Sequence, residues 1–266
     1  MDFYNPSSDL SYHGDVVVFD LDDTLYPEED YVFSGFRAVA ESVAAGEAEK
    51  GAAGEASAKS DAETFRIMKD AYLSGENAFD ALARELGLAG TGAEAGAEAE
   101  TGAEEETGAE AEKNIAAWVD IYRTHLPEIS LPADSLHTLQ ELQRRGVKLG
   151  IATDGRSLGQ RLKIRALGLD ALFQPENIYI SGEHGHDKHD FEPFAWFVHR
   201  YPEARRFIYA GDNPDKDFLN PNLMGWTTVC VADRGRNIHP QRPQTPEEKN
   251  PQFTIDSLSD LLTKIL

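Results

Sequence analysis

The 266-residue chain contains a single cysteine, Cys230, so no internal disulfide can form. That cysteine sits in the apolar run "WTTVCVAD", where a small core side chain is the simplest reading. No apolar stretch approaches the ~18 residues that a membrane span requires, which excludes a membrane partner. The start, "MDFYNPSSDLSYHGD", lacks the basic head and apolar segment of a secretory signal. These absences together predict a cytoplasmic protein. Basic residues are scarce as well: 25 Lys and Arg face 47 Asp and Glu, for a formal charge of −22. Such a field repels phosphates and excludes nucleic acid as the main partner. A negatively charged substrate must therefore be attracted locally, by a metal and a few cations. Oligomeric state is not legible in the composition.

Hydrophobic residues make up 41% of the chain, enough for a globular enzyme core. Residues 16–19, "VVVF", form a short continuous β-branched run and predict a buried parallel strand. Helical periodicity follows. In "YVFSGFRAVAESVAA", Val32, Phe33, Phe36, Val39, Ala40 and Val43 fall near one face. "AETFRIMKDAYL", "NAFDALARELGL" and "NIAAWVDIYRTHL" repeat the pattern. Between the last two lies 89–113, "AGTGAEAGAEAETGAEEETGAEAEK", with no aromatic or large aliphatic residue. It cannot cover a core, so a solvated, mostly disordered loop is expected, with a marginal Ala/Glu helix as the alternative.

From residue 130 helix and strand alternate: "DSLHTLQELQRRG", "VKLGIAT", "SLGQRLKIRALGL", "NIYIS", "FEPFAWFVHRY", "RFIYA" and "TTVCV". The close, "FTIDSLSDLLTKIL", reads as a short extended piece plus a helix. This alternation predicts an α/β fold with a parallel sheet covered on both faces. The strand at 16–19 belongs to that sheet. The core is thus expected to comprise residues 1–26 and 130–266, with 27–129 inserted as a helical block.

Ligands of open parallel sheets bind beyond the carboxyl ends of the strands. Four predicted strand ends carry polar residues: Asp20 and Asp22; Thr153, Asp154 and Gly155; Lys188; and Asp212 with Asp217. Each alone is commonly a turn or a helix cap. Four in this order are not explained by turns alone. "FDLDDTLY", "ATDG", Lys188 and "GDNPDKD" resemble, in order, the four motifs of the haloacid dehalogenase superfamily. The helical block after the first motif resembles the cap that this superfamily carries in the position called C1.

The resemblance implies a Rossmann-like core with an all-helical cap at 27–129, and a phosphatase acting on a small phosphorylated metabolite. Asp20 is then the nucleophile that forms an aspartyl-phosphate, and Asp22 the general acid and base. The metal is expected to be Mg²⁺, a hard cation suited to carboxylate and phosphate oxygens. Asp20 and Asp212 are its expected carboxylate ligands, Asp22 adds a backbone carbonyl, and Asp217 is a further ligand or an orienting group. Thr153 and the amides of Asp154 and Gly155 are expected to bind phosphoryl oxygens, and Lys188 to neutralise Asp20 and the transferring phosphate. Lys188 is followed by His189, where proline is usual. The acidic pair is thereby tolerated beside a dication and an ammonium.

Other polar residues receive structural readings. His184, His186 and His189, with Asp187 and Asp190, form a polar loop rather than a transition-metal site, because no recognised ligand spacing is present. Asp23 and Thr24 shape the turn after the first motif. Arg156 is either a substrate contact or a surface arginine. Tyr26, Tyr31, Phe33 and Phe36 line a cleft or pack helices. A phosphomutase of the same superfamily and a non-catalytic binding module are the alternative functions. A dehalogenase is disfavoured, since it has no need of the acid that Asp22 supplies.

Overall fold

The computed structural model describes residues 13–51, 59–88 and 102–266. Most of the amino-terminal stretch read for a signal, and 89–101 of the low-complexity stretch, lie outside the described residues. Six strands form one sheet: β1 (Asp15–Phe19), β2 (Lys148–Thr153), β3 (Ile178–Ile180), β4 (Arg206–Gly211), β5 (Thr227–Val231) and β6 (Phe253–Ile255). Their order is β3-β2-β1-β4-β5-β6, and every neighbouring pair is parallel. This is the α/β arrangement expected from the alternation. Every residue of β1 is buried, as a central strand covered on both faces must be.

Helices α5 (Ala133–Arg144), α6 (Ser157–Ala166), α7 (Ser181–His184), α8 (Glu192–Arg200) and α9 (Leu219–Leu223) occur between or beside these strands. On one side of the sheet Val16, Val18, Tyr179, Phe194, Phe197, Tyr209, Trp226 and Cys230 form a buried cluster. Cys230 is the core residue expected, and burial pushes its thiol up to about 12. Gly150 has a packing role here: a Cβ at that position would lie 2.4 Å from Phe197 Cε1. After β6 the expected helix is replaced by a 3₁₀ turn, Leu258–Asp260, and a π turn, Leu261–Ile265. Three buried leucines, Leu258, Leu261 and Leu262, anchor that tail. Arg145 and Arg206 donate to the terminal carbonyls of Leu262 and Ile265.

The chain divides into two compact units, Met1–Tyr31 with Glu128–Leu266, and Val32–Pro127. The second contains most of α1 (Glu28–Gly51), with α2 (Asp61–Leu73), α3 (Ala78–Glu85) and α4 (Gly102–Thr124). Ser60 and Asn77 cap α2 and α3 by accepting from their first-turn amides. Val32, Phe36, Val39, Val43, Met68, Leu82 and Trp118 form the core of this unit. Phe33 and Phe36 thus pack helices; Phe33 meets Tyr72 edge-on at 5.7 Å.

The expected loop at 89–113 requires correction over 102–113, which form the first half of α4. The helix is anchored by its other half, where Trp118, Ile115, Ile121 and Tyr122 pack into the core. Once that half is fixed, each added Ala or Glu costs little, because both are strong helix formers and propagation is cheaper than nucleation. Among the described residues no helix is long and apolar enough to cross a membrane.

Candidate active site

The sheet order reverses at β1, which pairs with β2 on one side and β4 on the other. A crevice opens at such a switch point beyond the carboxyl ends of the strands. The chain places its acidic residues there. Asp20 extends the ladder, its amide donating to the Ala210 carbonyl at 2.8 Å. Leu21 is fully buried, and Asp22 follows on. Asp23 adopts φ of 54°, a left-handed conformation that Asp tolerates better than most residues. Its carboxylate accepts from the Glu28 amide and the Ile238 amide, both at 2.8 Å. Asp23 therefore braces the turn, as its sequence position implied.

Lys188 is 1% exposed and lies 2.9 Å from Asp20 Oδ1 and 2.6 Å from Asp217 Oδ1. Charge attraction to both carboxylates holds the ammonium. Burial alone would lower the Lys188 pKa, but Asp20 and Asp217 outweigh it and raise it well above the usual value. The loop carrying Lys188 is pinned: Asp154 Oδ1 accepts the Lys188 amide at 3.2 Å, and Asn220 Nδ2 donates to the Lys188 carbonyl at 3.0 Å. Asp217 is fully buried and heavily committed. One oxygen accepts from the amides of Asp212 and Asn213 at 3.1 and 2.8 Å; the other accepts from the Tyr209 hydroxyl at 3.2 Å. Gly211 makes room for it, since a Cβ there would stand 2.5 Å from Asp217 Oδ2.

Asp22 has a separate set of partners. Lys163 of α6 lies 2.8 and 2.9 Å from its two oxygens, Tyr26 donates at 2.6 Å and Gln160 at 3.0 Å. Lys163 is buried, 3.6 Å from Glu28, and its ammonium stands 4.2 Å over the Tyr31 ring. Burial pushes the Asp22 carboxyl up, but the Lys163 charge together with the hydrogen bonds from Lys163, Tyr26 and Gln160 more than reverses it, and the net shift is downward. Glu28, left with the weaker contact, is pushed up to about 7 by burial and by Asp22.

The Thr153–Gly155 segment is organised by Gln160, whose Nε2 also reaches Thr153 Oγ1 at 2.6 Å and the Asp154 carbonyl at 3.0 Å. Gly155 has φ of 147°, a conformation open to glycine, and a Cβ there would meet Gln160 Cγ at 3.0 Å. Its amide, expected to face phosphate, donates to Ser181 Oγ at 3.0 Å. Asp154 contributes its side chain as well, bracing the Lys188 loop and standing 3.6 Å from Lys216.

A cavity of about 120 Å³ is lined by Asp20, Asp22, Asp23, Glu28, Thr153, Asp154, Asp212, Asn213, Lys216 and His239. Carboxylate oxygens of Asp20, Asp212 and Asp217, all buried, lie within 4.8 Å of one another. Burial and mutual repulsion raise Asp20 to about 7, against the pull of Lys188, and raise Asp212 to about 9. Three buried carboxylates with one ammonium leave an excess of negative charge that a divalent cation would compensate. The donor set, all hard oxygen, fits such an ion. It is an acidic group able to hold a metal.

A family model described as "haloacid dehalogenase-like hydrolase" matches residues 15–219. The chain belongs to that hydrolase family. Hydrolases of the family generally use a divalent metal. Glyceraldehyde 3-phosphate phosphatase of Methanopyrus kandleri is 28% identical over 256 residues, covering 92% of this chain and 94% of that protein. The protein of the same name from Methanocaldococcus jannaschii is 30% identical over 129 residues, and the match spans about half of its length, 53%. Among solved structures, the HAD hydrolase YfnB of Bacillus subtilis, described as bound to magnesium, superposes with a TM-score of 0.56 at 20% identity, covering 94% of this chain and 97% of that one. That likeness bears on the fold.

Around this hydrolase's site the sequence pattern did not point to Glu28, Gln160, Lys163, Lys216, Asn237 or His239, while Tyr26, expected to line a cleft or pack helices, donates to Asp22. A signal existed for two of them: Gln160 and Lys163, three apart on α6, share a helix face directly after the Thr-Asp-Gly turn. Ser157, next to Arg156, donates to Glu183, and Arg161 pairs with the same carboxylate. In the histidine loop His186 is half-exposed and His189 largely exposed, while His184 stacks on Tyr179 with ring centroids 4.4 Å apart. His186 lies 3.1 Å from Asp190 and 3.8 Å from Glu192, and His189 pairs with Asp187.

Proposed function

We propose that this hydrolase is a Mg²⁺-dependent cytoplasmic phosphatase that hydrolyses a small phosphorylated metabolite through an aspartyl-phosphate on Asp20. The observation that carries the reading is the meeting of Asp20, Asp212, Asp217 and Lys188 beside a cavity also lined by Asp22, Thr153 and Asp154. The phosphatases among its relatives support it, including phosphoserine phosphatase of Thermus thermophilus at 34% identity over 126 residues. Residues 27–129 are proposed as the cap module.

An Asp20 oxygen attacks phosphorus, the bond to the leaving oxygen breaks, and that oxygen takes a proton from Asp22. Water then attacks the phosphorus of the aspartyl-phosphate, Asp22 accepts the proton of that water, and orthophosphate leaves as the bond to Asp20 breaks. Lys188 offsets the charge of Asp20 before attack. The Thr153 hydroxyl accepts from Gln160 and keeps its own proton for a phosphoryl oxygen. Asp20, Asp212 and the Asp22 carbonyl would hold Mg²⁺, which when bound supplies charge neutralisation to the phosphoryl group. Asp217, committed to two amides, a phenol and Lys188, acts as an orienting group. Lys163 favours the ionised form of Asp22, which suits the second step; for the first, Asp22 must take up a proton against that contact.

The test is orthophosphate release from an aryl phosphate and a panel of phosphorylated metabolites, with and without Mg²⁺, using Asp20→Asn as the blank. Turnover requiring both Asp20 and the cation is expected. Equal release by the Asp20→Asn protein would refute the reading.

A further inference from the structure

The segment after β5 carries no motif, yet it crosses to the acidic strand ends and is fixed at both. Asp233 Oδ1 accepts from the amides of Gly235, Arg236 and Asn237, which folds the segment into a tight bend. From that bend Asn237 Nδ2 donates to Asp212 Oδ2 at 3.1 Å. The next amide, Ile238, donates to Asp23 at 2.8 Å, and Gln241 Nε2 donates to the Asp212 carbonyl at 2.9 Å. Arg236 reaches Glu29 at 3.0 Å and Asp30 at 2.6 Å, at the start of α1. One strap of chain therefore ties the residues that follow β1 to those that follow β4.

Asp212 needs such a partner. It is 3% exposed and close to the carboxylates of Asp20 and Asp217, and among the described residues it has no ion pair of the kind that steadies Asp20 and Asp22. The Asn237 amide is neutral, so it can direct one oxygen of Asp212 without cancelling the charge that a cation requires. Partners of this kind fix the rotation of a ligating carboxylate and leave its second oxygen for the ion.

We propose that Asn237 is a positioning residue for cation binding: its amide, carried by the 233–241 strap, holds Asp212 in the ligating orientation. The inference rests on the cation reading given above. Loss of a group that orients a metal ligand commonly weakens binding ~10–100-fold.

The experiment is titration of the ligand-free protein with Mn²⁺ alone, reading the free ion by electron paramagnetic resonance. Wild type is compared with Asn237→Ala, Arg236→Gln and Asp212→Asn, after thermal melting has verified that each is folded. The expected result is binding at least ~10-fold weaker in Asn237→Ala, with Arg236→Gln close to wild type because its clamp does not touch Asp212. Asn237→Ala within twofold of wild type overturns the inference, as does an equal loss in Arg236→Gln, which would assign the effect to the strap as a whole. A wild type that binds no Mn²⁺, or an Asp212→Asn protein that binds it equally well, refutes the cation reading itself and this inference with it.

Discussion

Replacing Lys163 by methionine removes the ammonium that touches both oxygens of Asp22 while keeping a side chain of similar length. Lys163 is 5% exposed, so the loss occurs in the interior. Breaking a buried ion pair by deleting one partner costs ~3–5 kcal/mol, since the remaining charge is left uncompensated. Asp22 keeps its bonds from Tyr26 and Gln160, which places the expected cost near the low end, about 3 kcal/mol. The pH dependence follows from the direction of the shift. In the wild type the Asp22 pKa is depressed, so its contribution is complete above the unfolded value near ~3.9 and is lost only as pH falls through the lower folded value. Without Lys163, burial dominates and the Asp22 pKa rises. The ionised carboxylate then destabilises the fold at neutral pH, and acid relieves that penalty. The deficit relative to wild type should therefore be larger at pH ~7.5 than at pH ~5. Urea unfolding followed by tryptophan fluorescence measures it. A Trp118→Phe background leaves Trp196 and Trp226, both in the sheet-containing unit, as reporters. A deficit below ~1 kcal/mol at pH ~7.5, or one that grows on acidification, would refute the reasoning. Adding Asp22→Asn to the variant should recover part of the loss, because no buried charge is then stranded.

Gly211→Ala should fold yet bind divalent cations weakly, because its Cβ would lie 2.5 Å from Asp217 Oδ2 and displace the group that positions the Asp212 and Asn213 amides. Mn²⁺ titration with a parallel melting curve checks both parts. Cation binding should tighten from pH ~6 to pH ~9: Asp20 and Asp212 are raised to about 7 and about 9, so protons compete with the ion at the lower pH. Calorimetric titration in two buffers of different ionisation enthalpy should detect proton release at pH ~7, and its absence would show those carboxyls already ionised.

Much of the fold is legible because burial constrains composition. A strand covered on both faces must be apolar throughout, and "VVVF" meets that demand without needing to know its neighbours. The helical faces of α1 and α3 are readable for the same reason. The helix over 102–113 is not legible locally because it extends from Trp118 and its neighbours, which pack into the core further along α4. The closing "SLSDLLTKIL" has helical composition, but three buried leucines and two arginine caps draw it into tighter and wider turns.

By itself the sequence determined that carboxylates, a hydroxyl and a lysine stand at successive carboxyl ends of one parallel sheet, since strand periodicity and chain order are local properties. Which charge meets which was decided by the tertiary structure alone. Lys163 and Asp22 are 141 positions apart, and Ile238 and Asp23 are 215 apart. No local pattern encodes such pairs. They arise when crossover connections stack distant strand ends at one edge, where a desolvated carboxylate is stable only beside a cation or a directed donor.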